Sequence, residues 1–175
     1  MSTPEAPRLF LVVLGGRIEG CHVELHDGRF VVGASIDDTL PELRRQWIGR
    51  RRGLHLDSWM ELRHIDGYAV ELRSEPSAAA MQLWFVNMGG YNPSDLLEQH
   101  QIGLVVAPTA AAAKARARQR LLPQAQQRHK DDLHAVDDCL PLDLLQGWHV
   151  HLRLAPGVES PPQVPDWWGY RLIDR

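Results

Sequence analysis

Apolar residues along this chain fall into short runs set between polar turns, and the arrangement recurs. LFLVVL at 9–14 ends in Gly15-Gly16, and LWFVNM at 83–88 ends in Gly89-Gly90. Runs of this length bounded by glycine predict buried strands entering turns that need positive φ. A second short strand follows each, FVV at 30–32 and LVV at 104–106. Ser35 and Thr109 then hold matching positions as N-cap candidates, ahead of helices expected to end near Ile48 and Leu122. Pro41 would cost a helix begun at Ser35 one hydrogen bond, and Thr39-Leu40-Pro41-Glu42 offers a capping box with a later start at Thr39. Two extended segments close each repeat. In the last of them Tyr68, Val70 and Leu72 alternate with Ala69, Glu71 and Arg73, as Trp148, Val150 and Leu152 alternate with His149, His151 and Arg153.

Sliding the chain against itself by 74 residues aligns 9–47 with 83–121, and nine of 39 pairs are identical. Chance would give about two or three, so the match is a repeat. After six extra residues, an offset of 80 aligns 54–73 with 134–153. The predicted fold class is therefore α+β, a tandem duplication of a ββαββ unit. The first repeat is placed at 8–74 and the second at 82–154, with a proline-rich tail at 155–175. Within that tail WWGYRLI at 167–173 is too apolar to stay loose and is expected to dock on the body.

The remaining composition narrows the picture by exclusion. Nineteen basic residues against 22 acidic ones give a net charge of −3, which supplies no general attraction for phosphate backbones. Nucleic acid is not an expected partner; a small molecule or a protein is. No apolar run approaches the roughly 18 residues of a membrane span, and LFLVVL is too short for a secretory signal. Cys21 and Cys139 form no zinc-type or disulfide framework, so a reduced, cytoplasmic protein without a cofactor is expected.

The segments VELHDGRFVVG, LPELRRQW, LHLDSWMELRHIDGYAVEL, LWFVNMGGYNPSDLLEQHQIGLVVA and HKDDLHAVDDCL, with LFLVVLGG, resemble the bacterial family known as domain of unknown function 1543. That resemblance covers nearly the whole chain. It implies one or two copies of a domain similar to the β-grasp, or ubiquitin-like, roll. The family brings no established activity, so no catalytic residue is carried over.

Polar residues shared by both copies are the candidate binding residues, because packing explains a shared Val more readily than a shared His. Glu24 and His26 lie two apart, on one face of an extended backbone, and Asp57 is placed to approach from a neighbouring strand; Glu98, His100 and Asp137 repeat the set. Two carboxylates and an imidazole can hold a divalent metal or perform acid–base chemistry. The same residue types also satisfy backbone groups at turns, and that plainer role weighs more, so no metal site is assigned. A capped helical turn expected at 92–97 would aim Glu98 and His100 apart. His55 shares a face with Asp57, but Ala135 stands at its aligned position and confines any role to the first copy. Gly15, Gly16, Gly89 and Gly90 can offer amides to an anion, although neither pair lies in a phosphate-loop motif. No nucleophile motif, oxyanion turn or cofactor loop accompanies these residues. A binding or interaction module, with a groove between the repeats, is therefore expected ahead of the alternative, a metal-dependent or acid–base enzyme.

Overall fold

The two longest apolar runs are the central strands of the protein's computed structural model, which describes residues 6–124, 127–129 and 139–174. The first run is β1 (Arg8–Gly16), flanked by β2 (Leu25–Gly33) and β3 (His55–Glu61), both antiparallel to it. The second is β6 (Gln82–Tyr91), flanked by β7 (Gln99–Ala107) on one side and by β8 (Gln127–His129) and β9 (Cys139–Leu142) on the other. A central strand has neighbours at both edges, which is why these segments read as nearly unbroken apolar runs. Helix α1 (Ile36–Gln46) follows β2, and α2 (Ala110–Arg120) follows β7. The fold is α+β, with antiparallel sheets.

The chain forms two compact units that interleave along the sequence. One comprises Met1–Arg63, Leu145–Gly147 and Pro162–Arg175. Its sheet has the order β12-β3-β1-β2, where β12 is Trp167–Leu172. Phe10, Val12 and Leu14 of β1 pack with Val31, Leu43, Trp47, Leu54, Leu56 and Ile173. The other unit comprises His64–Leu144 and Trp148–Pro161. There Trp84, Val86 and Met88 of β6 pack with Val105, Ala113, Ala117, Leu121 and Cys139. In this unit β5 (Tyr68–Arg73) pairs antiparallel with β11 (Trp148–Leu154), and β4 (His64–Ile65) lies beyond β5; the two-residue β10 is Leu144–Leu145. Three extended segments, not two, thus close the first half of the chain. The turns Asp66-Gly67 and Gln146-Gly147 have φ of 51° and 82°, and 51° and 83°, the two left-handed residues that a tight hairpin requires.

Helix starts follow the caps. Ser35 Oγ accepts from the Asp38 amide, and the Asp38 carboxylate accepts from the Ser35 amide at 2.9 Å. This reciprocal box begins α1 at Ile36, and the alternative start at Thr39 is not used: Thr39 is buried and donates its hydroxyl to the Ile36 carbonyl at 2.7 Å. Pro41 is accommodated inside the helix because this box and the packing of Leu43 outweigh one missing hydrogen bond. Thr109 caps α2 by accepting from the Ala112 amide. At 92–95 a turn forms in place of a helix: Asn92 Oδ1 accepts from Ser94, and the Asn92 carbonyl accepts from Asp95 at 3.0 Å.

The apolar tail segment is the edge strand β12, hydrogen-bonded to β3. It is anchored at both ends. Asp166 accepts from the Glu61 amide at 2.7 Å and pairs with Arg63, while Ile173 donates to the Leu54 carbonyl at 2.9 Å and accepts from Arg44. Trp167 and Ile173 pack on the core and the Tyr170 ring lies against His55, but Trp168 is 78% exposed, a correction to docking through Trp167, Trp168 and Tyr170 together. Alternation along a strand sends neighbours to opposite faces. Ile173→Ala is expected to cost about 2 to 4 kcal/mol of stability through the cavity it leaves. Urea denaturation checks this, and an unchanged midpoint would show that the strand is an appendage to the core.

Candidate functional site

Gly15 lies in the central strand with His26 opposite it on β2 and His55 opposite it on β3. Residues at matching register across adjacent strands share a face, so both imidazoles flank the one position that has no side chain. A Cβ there would overlap His55 Nε2 and would stand 2.9 Å from Cε1 and 3.0 Å from Asp57 Oδ2. Neither Gly15 nor Gly16 has positive φ, and both belong to β1. Their expected role in a turn is corrected: they are needed for space, Gly16 being closed off by Trp47 at 2.7 Å. Gly89 and Gly90 are likewise strand residues, within β6.

A bulge in the ladder supplies the remaining geometry. Val13 pairs with Ser58 and Leu14 with Leu56, which leaves Asp57 as the extra residue of β3. From there Asp57 Oδ2 reaches across β1 to His26 Nδ1 at 2.6 Å, and Oδ1 stands 3.3 Å from His55 Nε2. Glu24, just ahead of β2, brings Oε1 to 3.7 Å from the same nitrogen. The structure thus brings Glu24, His26 and Asp57 together, and it adds His55 at their centre.

His55 is only 2% exposed. Its Nδ1 lies 2.8 Å from the Gly53 carbonyl, in a turn where Gly53 has φ of 85°, and the Tyr170 ring covers it with centroids 4.1 Å apart. Both nitrogens of His55 face acceptor atoms, the Gly53 carbonyl on one side and the carboxylates of Asp57 and Glu24 on the other. His26 is different. Its side chain is 53% exposed, and with Nδ1 bonded to Asp57 the neutral ring presents Nε2 as a lone-pair acceptor. The accessible atoms of the cluster are then carboxylate oxygens and one imidazole nitrogen, all acceptors. Among the described residues no group of three or more His, Cys, Asp and Glu is arranged to hold a metal ion.

In the second copy Glu98 Oε2 lies 3.5 Å from His100 Nε2, so the two side chains meet instead of diverging. His100 stands opposite Gly89, as His26 stands opposite Gly15. Asp137 lies outside the described residues. His149 and His151 share no site: His149 approaches Asp143, and His151 bonds the Glu75 carbonyl at 2.7 Å. Arg50 and Arg51 pair with Glu19 and Asp174. His55, which the sequence places on one face with Asp57 and confines to the first copy, and Tyr170, read there only as part of the docked tail, are the site residues missing from the sequence-derived candidates. The His55-Leu56-Asp57 alternation was the signal for the first, and nothing local marked the second.

Beside the site, burial holds the Asp27 carboxyl above the usual carboxylate range, against the opposing pull of Arg29 at 2.5 Å and of the Gly28 amide. A carboxyl raised in the folded state favours folding most when protonated; that contribution is lost as pH rises through the folded value. Asp27→Asn should therefore be more stable than the parent at neutral pH, and the difference should vanish in acid below the ordinary Asp range. Thermal melts across that range check the sign. At the site itself, Gly15→Ala is expected to cost about 1 to 3 kcal/mol by overpacking. In a His55→Ala background most of that cost should disappear, and equal costs in both backgrounds would refute the packing argument.

No helix among the described residues is long and apolar enough to cross a membrane. No curated protein matches the chain. The chain is similar to a protein Il1583 from Idiomarina loihiensis, known from a crystal structure, with 38% identity over 95% of this chain and 97% of that one and a TM-score of 0.73. The family model described as Domain of Unknown Function (DUF1543) matches residues 21–72 and 95–152, more than half of the sequence in two stretches that fit tandem copies, and the chain belongs to that family.

Proposed function

We propose that the protein is a binding module whose site is the cluster of Glu24, His26 and Asp57 on the sheet of the first unit, backed by His55 and Tyr170. The observation that carries this reading is the 2.6 Å bond from His26 to Asp57, made by a side chain that is half exposed. A histidine that served only to satisfy turn amides would spend its nitrogens on backbone. Here one nitrogen is held by a carboxylate, and the other is left to bind. Because the accessible atoms are acceptors, the fitting ligand is rich in donors and positively charged. An ammonium or guanidinium group, on a small molecule or a protein, has that chemistry.

This reading places the site on a duplicated scaffold, with repeats at 8–74 and 82–154, a tail at 155–175 and a β-grasp-like ββαββ plan. Core positions support the duplication: Phe10, Val12, Leu14, Val31, Leu43 and Trp47 correspond at the 74-residue offset to Trp84, Val86, Met88, Val105, Ala117 and Leu121. So do two hydrogen bonds. The Val32 amide donates to Gln146 at 2.7 Å, and the aligned Val106 amide donates to Asp66 at 2.8 Å. Each repeat's closing hairpin turn thereby caps a strand of the other repeat, which we read as an exchange of hairpins. Cys21 and Cys139, neither of which forms a disulfide, fit a cytoplasmic setting.

The His26–Asp57 pair also favours a second reading, an acid–base enzyme in which Asp57 fixes the tautomer of His26 and Nε2 takes a proton. One experiment separates the two. Titration with agmatine, which carries both an ammonium and a guanidinium, is expected to show binding that His26→Ala loses while keeping stability within about 1 kcal/mol of the parent. Equal binding by parent and variant, or a variant that unfolds, would sink the binding site. Agmatine consumed by the parent and spared by Asp57→Asn would establish the enzyme instead.

A further inference from the structure

We infer that the open edge of β12 docks an extended, arginine-bearing peptide of another protein, which adds a strand to the four-stranded sheet and lays its basic side chain across Tyr170 onto the acceptor cluster. The inference rests on the reading of Glu24, His26 and Asp57 as a site for a cation, and it names the class of partner. β12 ends the order β12-β3-β1-β2, and among the described residues no strand pairs with its far side. Ile173 donates to the Leu54 carbonyl at 2.9 Å, one step beyond the pairing of Leu172 with His55. Hydrogen-bonded and non-hydrogen-bonded pairs alternate along an antiparallel ladder, so Leu172 turns its own amide and carbonyl to the open edge.

The side chains along this edge suit a covered strand, yet nothing described covers them. Burial alternates along β12, and the exposed positions are Trp168, Tyr170 and Leu172, at 78%, 68% and 42%. Leu172 stands opposite His55 and Tyr170 lies against its ring, so the apolar stripe runs along the face that carries the acceptor cluster. Natural sheets guard open edges with charge or proline. The one charge here, Arg171, is engaged by Asp37. An exposed apolar stripe beside open backbone groups is the pattern that strand addition uses, main chain supplying affinity and alternate side chains supplying choice.

Charge selects the partner. Glu24 meets only His55 among the described residues, at 3.7 Å, and the cluster around it offers acceptors alone. A residue opposite Leu172 on an added strand stands two strand spacings, about 10 Å, from His55. Only a long side chain bridges that distance. Arginine matches both features on the way, because a guanidinium stacks on an aromatic face and its fork fits a carboxylate. A second copy of this chain fits worse: two β12 strands set edge to edge bring tryptophan, tyrosine and leucine to this face and no cation, since Arg171 pairs with Leu56 and alternates to the other face.

Calorimetric titration of the parent protein with the peptide acetyl-Val-Thr-Arg-Thr-Val-amide tests the partner, with agmatine beside it as the cation alone. The peptide is expected to bind roughly tenfold more tightly than agmatine, and to lose roughly tenfold when citrulline replaces its arginine or when its Val and Arg amides are N-methylated. Leu172→Pro removes only the outward amide of β12, so it should weaken the peptide by a similar factor and leave agmatine binding in place. A peptide that binds no better than agmatine, or is indifferent to citrulline or to N-methylation, overturns strand addition and leaves the cation site standing. Those arms use the parent alone and decide the matter even if Leu172→Pro does not fold. A parent that binds no agmatine strikes the earlier reading, and this inference with it. A parent that sediments as a dimer, and as a monomer after Leu172→Pro, assigns the edge to a second copy and overturns the peptide.

Discussion

The imidazole of His55 occupies the volume that a side chain on Gly15 would need, and the polar architecture of the first unit follows from that one exclusion. A buried histidine must find partners for both nitrogens. One is the Gly53 carbonyl, which requires the left-handed Gly53 turn ahead of β3. The other nitrogen faces Asp57 and Glu24. Asp57 stands in line with it because a bulge takes that residue out of the β1 ladder, and the carboxylate can then bridge to His26 two strands away. Tyr170 of the edge strand covers the ring. The glycine, the turn, the bulge and the edge strand thus answer one requirement: to hold an ionisable ring almost out of water and still satisfied.

The apolar side of the sheet obeys a different rule, conservation of volume. Phe10 and Leu14 of the first core answer to Trp84 and Met88 of the second, while Leu43 and Trp47 answer to Ala117 and Leu121. The second copy is larger on its strand and smaller on its helix. Cores tolerate such exchanges when total volume and pattern are kept. The alanine-rich composition of α2 has the same origin: a helix facing Trp84 has room only for small side chains, and alanine forms helix readily.

Much of this was legible in the sequence. The central strands, both helices, the caps at Ser35 and Thr109 and the assembly of Glu24, His26 and Asp57 follow from local pattern and repetition, because periodicity and capping are local physics. Three things were not legible. The two-residue strands β4 and β10 are too short to show a period. The pairing of β5 with β11 is a choice of partner, and an alternating strand advertises a face but not a neighbour. The glycine pairs read as turns because glycine most often answers a backbone requirement, whereas here it answers a steric one that appears only once His55 and Trp47 are placed.

The placement of His55 shows how energetics decides what repetition conceals. Lengthening a surface loop costs little, about 0.6 kcal/mol for each doubling, because closure entropy grows only with the logarithm of length. Breaking a ladder costs every hydrogen bond and packed side chain beyond the break. An insertion is therefore tolerated only where a strand can stop and resume without changing what it pairs. In the second copy β8 pairs His129 with Gly89 and β9 pairs Cys139 with Val86, so both described segments keep register against the central strand. An alignment by identity alone has no term for that constraint and sets the gap where matches are scarce. Register sets it where hydrogen bonds allow, and at that position the histidines of the two copies coincide.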